Sequence, residues 1–250
     1  MIEHAPGRTE YQRAAELSTL ENVLQEPVTA EVAALRSKIT CLLQMKAEGK
    51  LQSRPAKLAH YGLEEAPTDA VVDAELSYVE GVVNGLRDDC PEDLLAKQTL
   101  LDVYYMGFDG LTHKGQMVVD EELAEEVEAV FAAAFKAKFP IRSAIPVSQF
   151  GWDDDASMLA DNSSGFNYRT IAGTTIMSLH AKGRAVDINP LLNPHYRKDG
   201  TIVPEGAVYE AGKPGVLVEG DSVVSTFKAN GWGWGGDWEG ESDWQHFDKA

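Results

Sequence analysis

The stretch from Leu100 to Pro140 constrains the fold most. "LLDVYYMGFDG" is rich in β-forming residues and ends in Asp-Gly, a pair that favours turns. "QMVVD" follows as a second short strand. "EELAEEVEAVFAAAFKAKF" then places Leu123, Val127, Val130, Phe131, Ala134 and Phe135 on one helical face. Asp120 suits the N-cap, acids fill the first turn and lysines the last, and Pro140 is the expected stop. Downstream, the chain is rich in Gly, Asp, Asn and Trp, with short β-like pieces at "AVDIN" and "GVLVEG" and a short helix at "DSVVSTFKANGW" closed by Gly231. Strands, one long helix and further strands predict an α+β domain over 100–250: a small antiparallel sheet with flanking helices.

Residues 1–99 read differently, as a helical N-terminal region of unassigned role. In "VTAEVAALRSKITCLLQMKAEGK" the positions Val28, Val32, Leu35, Ile39 and Leu42 recur at helical spacing, with Gly49 as the stop. A second helix is predicted after Pro67, with Thr68 as N-cap and Val72, Leu76, Val79, Val83 and Leu86 as its stripe. "GKLQSRPAKLAHYGLEEAP" between them reads as a loop with little order of its own.

Charge and cysteine content exclude some functions. The 250 residues include 22 basic and 40 acidic ones, a formal charge of −18, which argues against nucleic acid as a partner because phosphate binding rests on clustered Lys and Arg. No run approaches the roughly 18 apolar residues of a membrane span. The start of the chain lacks a basic segment followed by an apolar one, so no signal peptide is expected. Cys41 and Cys90 lie far apart and outside any CxxC, too few for a thiolate metal site.

The chemistry concentrates in "SLHAKGRAVDINP", Ser178 to Pro190. A hydrolytic zinc site needs about three N or O protein ligands and one open position, and His180 and Asp187 offer two. Seven is an odd separation, so on one flat strand they would face opposite sides. A turn at Ala181 to Gly183 would bring them together. His246, in the tryptophan-rich "GWGWGGDWEGESDWQHFD", is the best third ligand. Asp243, three residues earlier, suits a proton carrier beside an activated water. Arg169, in "SSGFNYRTIAG", suits the grip on an anionic substrate or a developing oxyanion.

These segments resemble the zinc D-alanyl-D-alanine carboxypeptidase and dipeptidase family, which also includes L-alanyl-D-glutamate endolysins. "SLHAKGRAVDINP" is similar to the family's S-x-H-x-x-G-x-A-x-D pattern. "SMLADNSSGFNYR" resembles its arginine-bearing segment, "DWQHF" its closing acid-to-histidine segment, and "YYMGFDGLTHKGQMVV" its opening strands. The resemblance spans roughly Leu100 to Ala250 in colinear order. It implies one zinc ion per chain on His180, Asp187 and His246, Asp243 as catalytic acid and base, Arg169 as a catalytic and substrate-binding residue, and Ser178 touching substrate. It implies a substrate in the peptidoglycan stem peptide, with D-Ala-D-Ala first, and action in the cell envelope or outside the cell. Asp243 stands where the vancomycin-resistance dipeptidases carry Glu, which looks more like the endolysin branch. Two other readings stay open: an endopeptidase cutting L-Ala-D-Glu, and a zinc-containing module that binds cell-wall peptide without cutting it.

Other residues carry blander expectations. Arg169 could serve in a structural ion pair and Ser178 in a turn. His113 is expected to be a packing or surface residue, His195 a loop residue, and Asp153 to Asp155 a solvated loop. The tryptophans are first of all packing.

Overall fold

The protein's structure, a computed structural model, describes residues 30–250, with side chains from Arg36 onward. The chain divides into two units, Met1–Thr40 and Cys41–Ala250. A helix α1 covers Ala30–Ala47, as its sequence predicts. Val28, and the side chains of Val32 and Leu35 from the expected stripe, lie outside what is described. Within the first unit the Thr40 hydroxyl donates back to the Arg36 carbonyl. No helix among the described residues is long and apolar enough to cross a membrane.

The second unit is mixed α+β. Its strands are β1 (Val71–Val72), β2 (Gln98–Met106), β3 (Thr112–Asp120), β4 (Ser143–Ala144), β5 (Asn162–Ser163), β6 (Ala185–Asp187), β7 (His195–Tyr196), β8 (Ile202–Val203), β9 (Gly233–Trp234), β10 (Ser242–Asp243) and β11 (His246–Asp248). Its helices are α2 (Leu58–Tyr61), α3 (Glu92–Leu95), α4 (Ala124–Ala137), α5 (Asp154–Leu159) and α6 (Ser222–Ala229). β2 and β3 form the expected hairpin around Asp109-Gly110, in the register Leu101↔Met117 and Val103↔Gly115. The chain then enters α4 through a 3₁₀ turn that the Asp120 carboxylate caps, accepting the Glu122 N–H at 3.0 Å. Val127, Val130, Phe131 and Ala134 of α4 are buried in one core with Leu101, Val103 and Tyr105 of β2. The helix ends at Ala137 with Lys138 in the left-handed region (φ 56°), two residues before Pro140.

Two small antiparallel sheets position the site. One runs β6-β11-β9 and places Phe247 between Val186 and Trp234. Phe247 also stacks on Phe227 of α6 with ring centroids 4.1 Å apart, which ties this sheet into the core beneath α4. The other runs β10-β7-β8.

Three expectations are corrected. Residues 68–86 do not form a capped helix. Val71 and Val72 pair in parallel with His113 and Lys114 on the open edge of the hairpin, and the Gln116 side chain accepts the Leu76 N–H at 2.7 Å. Backbone pairing on an available edge outweighs the helical stripe, and a single π-turn at Val79–Val83 is what remains of it. The stretch from Gly49 to Pro67 is more ordered than expected. Arg54 exchanges backbone hydrogen bonds with Leu100 and Asp102, and α2 buries Tyr61 against Tyr104 and Phe135. "GVLVEG" carries no strand, although Val216 and Leu217 are buried. Cys41 and Cys90 are not joined by a disulfide.

Candidate metal centre

The odd spacing of His180 and Asp187 is resolved by a 3₁₀ turn over His180–Lys182 that ends on Gly183 in the left-handed region (φ 69°). Glycine is required there on two counts. The conformation disfavours side chains, and a Cβ would lie 2.1 Å from Gln98 Oε1 and 2.5 Å from the Asp120 nitrogen. The chain then enters β6 with Ala185, Val186 and Ile188 buried around Asp187. Strand β11 lies antiparallel to β6 with His246 directly opposite Asp187. Directly opposed residues share a face of the sheet, so the pairing itself brings these two side chains together. Asp187 is anchored from its other side by paired backbone bonds with Ser164, 2.8 and 3.0 Å.

The three side chains converge. His180 Nε2 lies 3.3 Å from His246 Nδ1 and 3.1 Å from Asp187 Oδ2, and His246 Nδ1 lies 3.0 Å from Asp187 Oδ1. Ligands about 2.0–2.1 Å from a tetrahedral zinc stand about 3.3 Å from one another, so the spacing suits such an ion. The outward nitrogens are occupied: His180 Nδ1 donates to the Gly165 carbonyl (2.7 Å), and His246 Nε2 faces Asp248 Oδ2 (3.5 Å). A ring held this way turns its remaining nitrogen inward, the orientation metal-binding histidines take. Burial pushes the Asp187 carboxyl up, but the two imidazoles beside it more than offset that and hold it well below the usual range. Burial lowers the His246 imidazolium, yet Asp187 and Asp248 hold it up to about 10. The pocket favours positive charge at its centre, whether a proton or a metal ion carries it.

Asp243 lies on β10, in the bend before β11. Gly235 permits this approach, since a Cβ there would meet the Asp243 carbonyl oxygen at 2.3 Å. Burial pushes the Asp243 carboxyl above the ordinary range; His246 opposes this and Asp187 adds to it. Its Oδ1 is buried and meets no hydrogen-bond donor among the described residues, while Oδ2 lies 3.4 Å from His195 Nδ1. Arg169 is held by Asp154, with Nη2 to Oδ2 at 2.7 Å, and the Asn167 amide donates to the same carboxylate. The Ser178 hydroxyl accepts the His180 N–H at 3.2 Å and so belongs to the turn that aims the imidazole.

Residues 172–249 match the family model described as D-alanyl-D-alanine carboxypeptidase. Over this stretch the chain is similar to that family. The match covers about a third of the chain; it takes in Ser178, His180, Asp187, Asp243 and His246 and begins just after Arg169. No curated protein and no solved structure matches the chain.

Around the candidate site the tryptophans divide into two roles. Trp232 donates to Glu126 (2.6 Å), Trp234 to the Trp244 carbonyl (2.9 Å), and Trp244 stacks on Tyr209, all of them packing. Trp238 is partly exposed and stands beside His246 and His195, with ring centroids 5.6 and 6.1 Å away. Two expectations are corrected here. His195 is a strand residue of β7, not a loop residue, and faces Asp243. Asp153 to Asp155 are not merely solvated: Asp153 caps α5, accepting the Ala156 N–H, and Asp154 holds Arg169. His195, Asp154 and Asp248 were not legible as site residues, because only long-range pairing and packing bring them to it. His113 is a packing residue as expected, stacked on Tyr105 with Asp73 at 2.8 Å.

A second grouping, His60, Glu125 and Glu128, also brings possible ligand atoms within 4.8 Å of one another. Glu125, however, is already paired with Arg54 and Lys57, and Glu128 accepts the Lys57 N–H. Two of the protein's own cations already pair with Glu125, so an ion bound there would compete with them.

Proposed function

We propose that the C-terminal part of this chain is a zinc-dependent peptidase that hydrolyses peptidoglycan stem peptides, with the terminal D-Ala-D-Ala bond as its first substrate. The observation that carries this reading is the convergence of His180 Nε2, His246 Nδ1 and an Asp187 oxygen at mutual distances of 3.0–3.3 Å with their outward nitrogens occupied. These three residues would hold the ion. When bound, zinc supplies Lewis acidity and activates water.

The chain's own residues do the rest. Asp243 takes the proton of the attacking water on its unpartnered Oδ1 and returns it to the departing amine nitrogen. A carboxyl raised by burial suits both halves of that task, since its basicity lies nearer neutrality than that of an exposed aspartate. Arg169 uses one edge of its guanidinium on Asp154 and keeps further N–H donors for the substrate's C-terminal carboxylate. Trp238 walls the cleft beside His246 and limits access of bulk water.

A second reading, cleavage of L-Ala-D-Glu, is favoured by one observation: the acid is Asp243, the shorter carboxylate of the endolysin-like branch. Incubating zinc-loaded protein with purified stem peptides and weighing the products by mass spectrometry separates the two. Release of terminal D-Ala alone is the expected result, fragments ending at L-Ala establish the endopeptidase, and an absence of products from every stem peptide removes the peptidase reading.

A further inference from the structure

Among the described residues, His195 is the one histidine near the site to which the mechanism above gives no task. We propose that it is a positioning residue for Asp243, holding one carboxylate oxygen so that the other stays aimed at the reacting water. This rests on the peptidase reading.

The fold enforces the pair. β7 and β10 run antiparallel with His195 and Asp243 directly opposite each other, so their side chains leave the same face. His195 Nδ1 stands 3.4 Å from Asp243 Oδ2, and Nε2 stands 3.4 Å from Glu241 Oε2. Glu241 is in turn 3.5 Å from Lys198 Nζ, and the Trp238 ring packs edge-on against the imidazole. The imidazole is therefore walled on one side by Trp238, stands beside Glu241 at Nε2, and turns Nδ1 toward Asp243, where an N–H at that nitrogen donates to Oδ2. The carboxylate is split in consequence: Oδ2 faces His195, while Oδ1 is buried with no donor among the described residues. An oxygen without a donor is the one able to accept a proton. Nucleophile–base pairs oriented by a third group follow the same logic, and separations a little beyond ideal often shorten once substrate is bound. The partners of His195 are Asp243, Glu241 and Trp238, and none of these is a ligand residue of the metal centre, so its effect passes through Asp243.

The test uses the full chain loaded with zinc and two variants. His195→Phe keeps the ring and its packing on Trp238 but removes both nitrogens. His195→Asn restores a donor near the place of Nδ1. On the stem peptide that wild type cleaves, His195→Phe is expected to lower kcat about 10- to 100-fold, part of the roughly 10²–10⁴ a general base contributes. KM should stay within about twofold and bound zinc at the wild-type level, and His195→Asn should recover most of the loss. In crystal structures the Asp243 carboxylate should keep one orientation in wild type and in His195→Asn and leave it in His195→Phe. Wild-type kcat in His195→Phe, loss of zinc from it, or an unmoved Asp243 carboxylate would each overturn the proposal. If wild type itself cleaves no stem peptide, the peptidase reading falls, and the orientation of Asp243 still decides this inference.

Discussion

Two clusters in the second unit bring histidine and carboxylates within 4.8 Å of one another, and they differ in how their charge is met. His180, Asp187 and His246 sit on opposed strands and a glycine-closed turn, with the first two buried and both imidazoles fixed from behind by an acceptor. His60 sits on α2 and Glu125 and Glu128 on α4, with Arg54 and Lys57 paired to Glu125 and the Lys57 backbone N–H donated to Glu128. Both combine imidazole with carboxylate, two histidines and one aspartate in the first and one histidine and two glutamates in the second. What differs is the counter-charge: in the second cluster two of the protein's own cations pair with Glu125, and in the first the Asp187 carboxylate meets only the two imidazoles among the described residues. Proximity of ligand types does not by itself make a site; donors turned inward with no competing cation do.

The comparison can be broken at several points. The largest effect is expected from His180→Ala, which should take bound zinc from one per chain to none and reduce peptidase activity by on the order of 10³ or more. Asp243→Asn should keep the zinc and lower kcat roughly 10²–10⁴-fold, since it removes the proton carrier and spares the ligands. Metal analysis on the same samples used for kinetics separates these outcomes.

A pH titration gives an intermediate effect. In the metal-free protein His246 is held protonated up to about 10, above its ordinary value near 6.5. The stability that imidazolium contributes is fully present below about 6.5 and is lost as pH rises through about 10. Zinc needs the neutral ring, so binding between those limits displaces one proton. Affinity should rise about tenfold per pH unit, and calorimetry in buffers of different ionisation enthalpy should find one proton released per zinc. No proton release at neutral pH would contradict the pairing of His246 with Asp187. The smallest effect belongs to the other cluster. Glu128→Gln should leave bound zinc unchanged and cost about 1–3 kcal/mol of stability, the scale of disturbing a buried hydrogen-bonded group, read from thermal melts. A fall in zinc content there would make the second cluster a metal site after all.

The hairpin and α4 were legible in the sequence because their signals are local: alternation, an Asp-Gly turn, a capping aspartate. His180 and Asp187 were legible as a pair because Gly183 marks the turn between them. The helix expected at 68–86 failed for a physical reason. Its apolar spacing ignored the unpaired edge of β3, which captures Val71 and Val72. The site roles of His195 and Asp154 were not legible because their partners, Asp243 and Arg169, are 48 and 15 residues away and meet them only through the fold. Spacing finds residues that share a turn or a strand; it does not find those joined across strands.

The central claim is that His180, Asp187 and His246 form the metal centre and that the other histidine cluster does not. Zinc content of purified wild type, Asp187→Asn and His60→Ala, measured side by side by mass spectrometry of the metal, tests it most directly. The account predicts one zinc per chain in wild type and His60→Ala and none in Asp187→Asn. Equal zinc in wild type and Asp187→Asn, or zinc lost with His60, would contradict it.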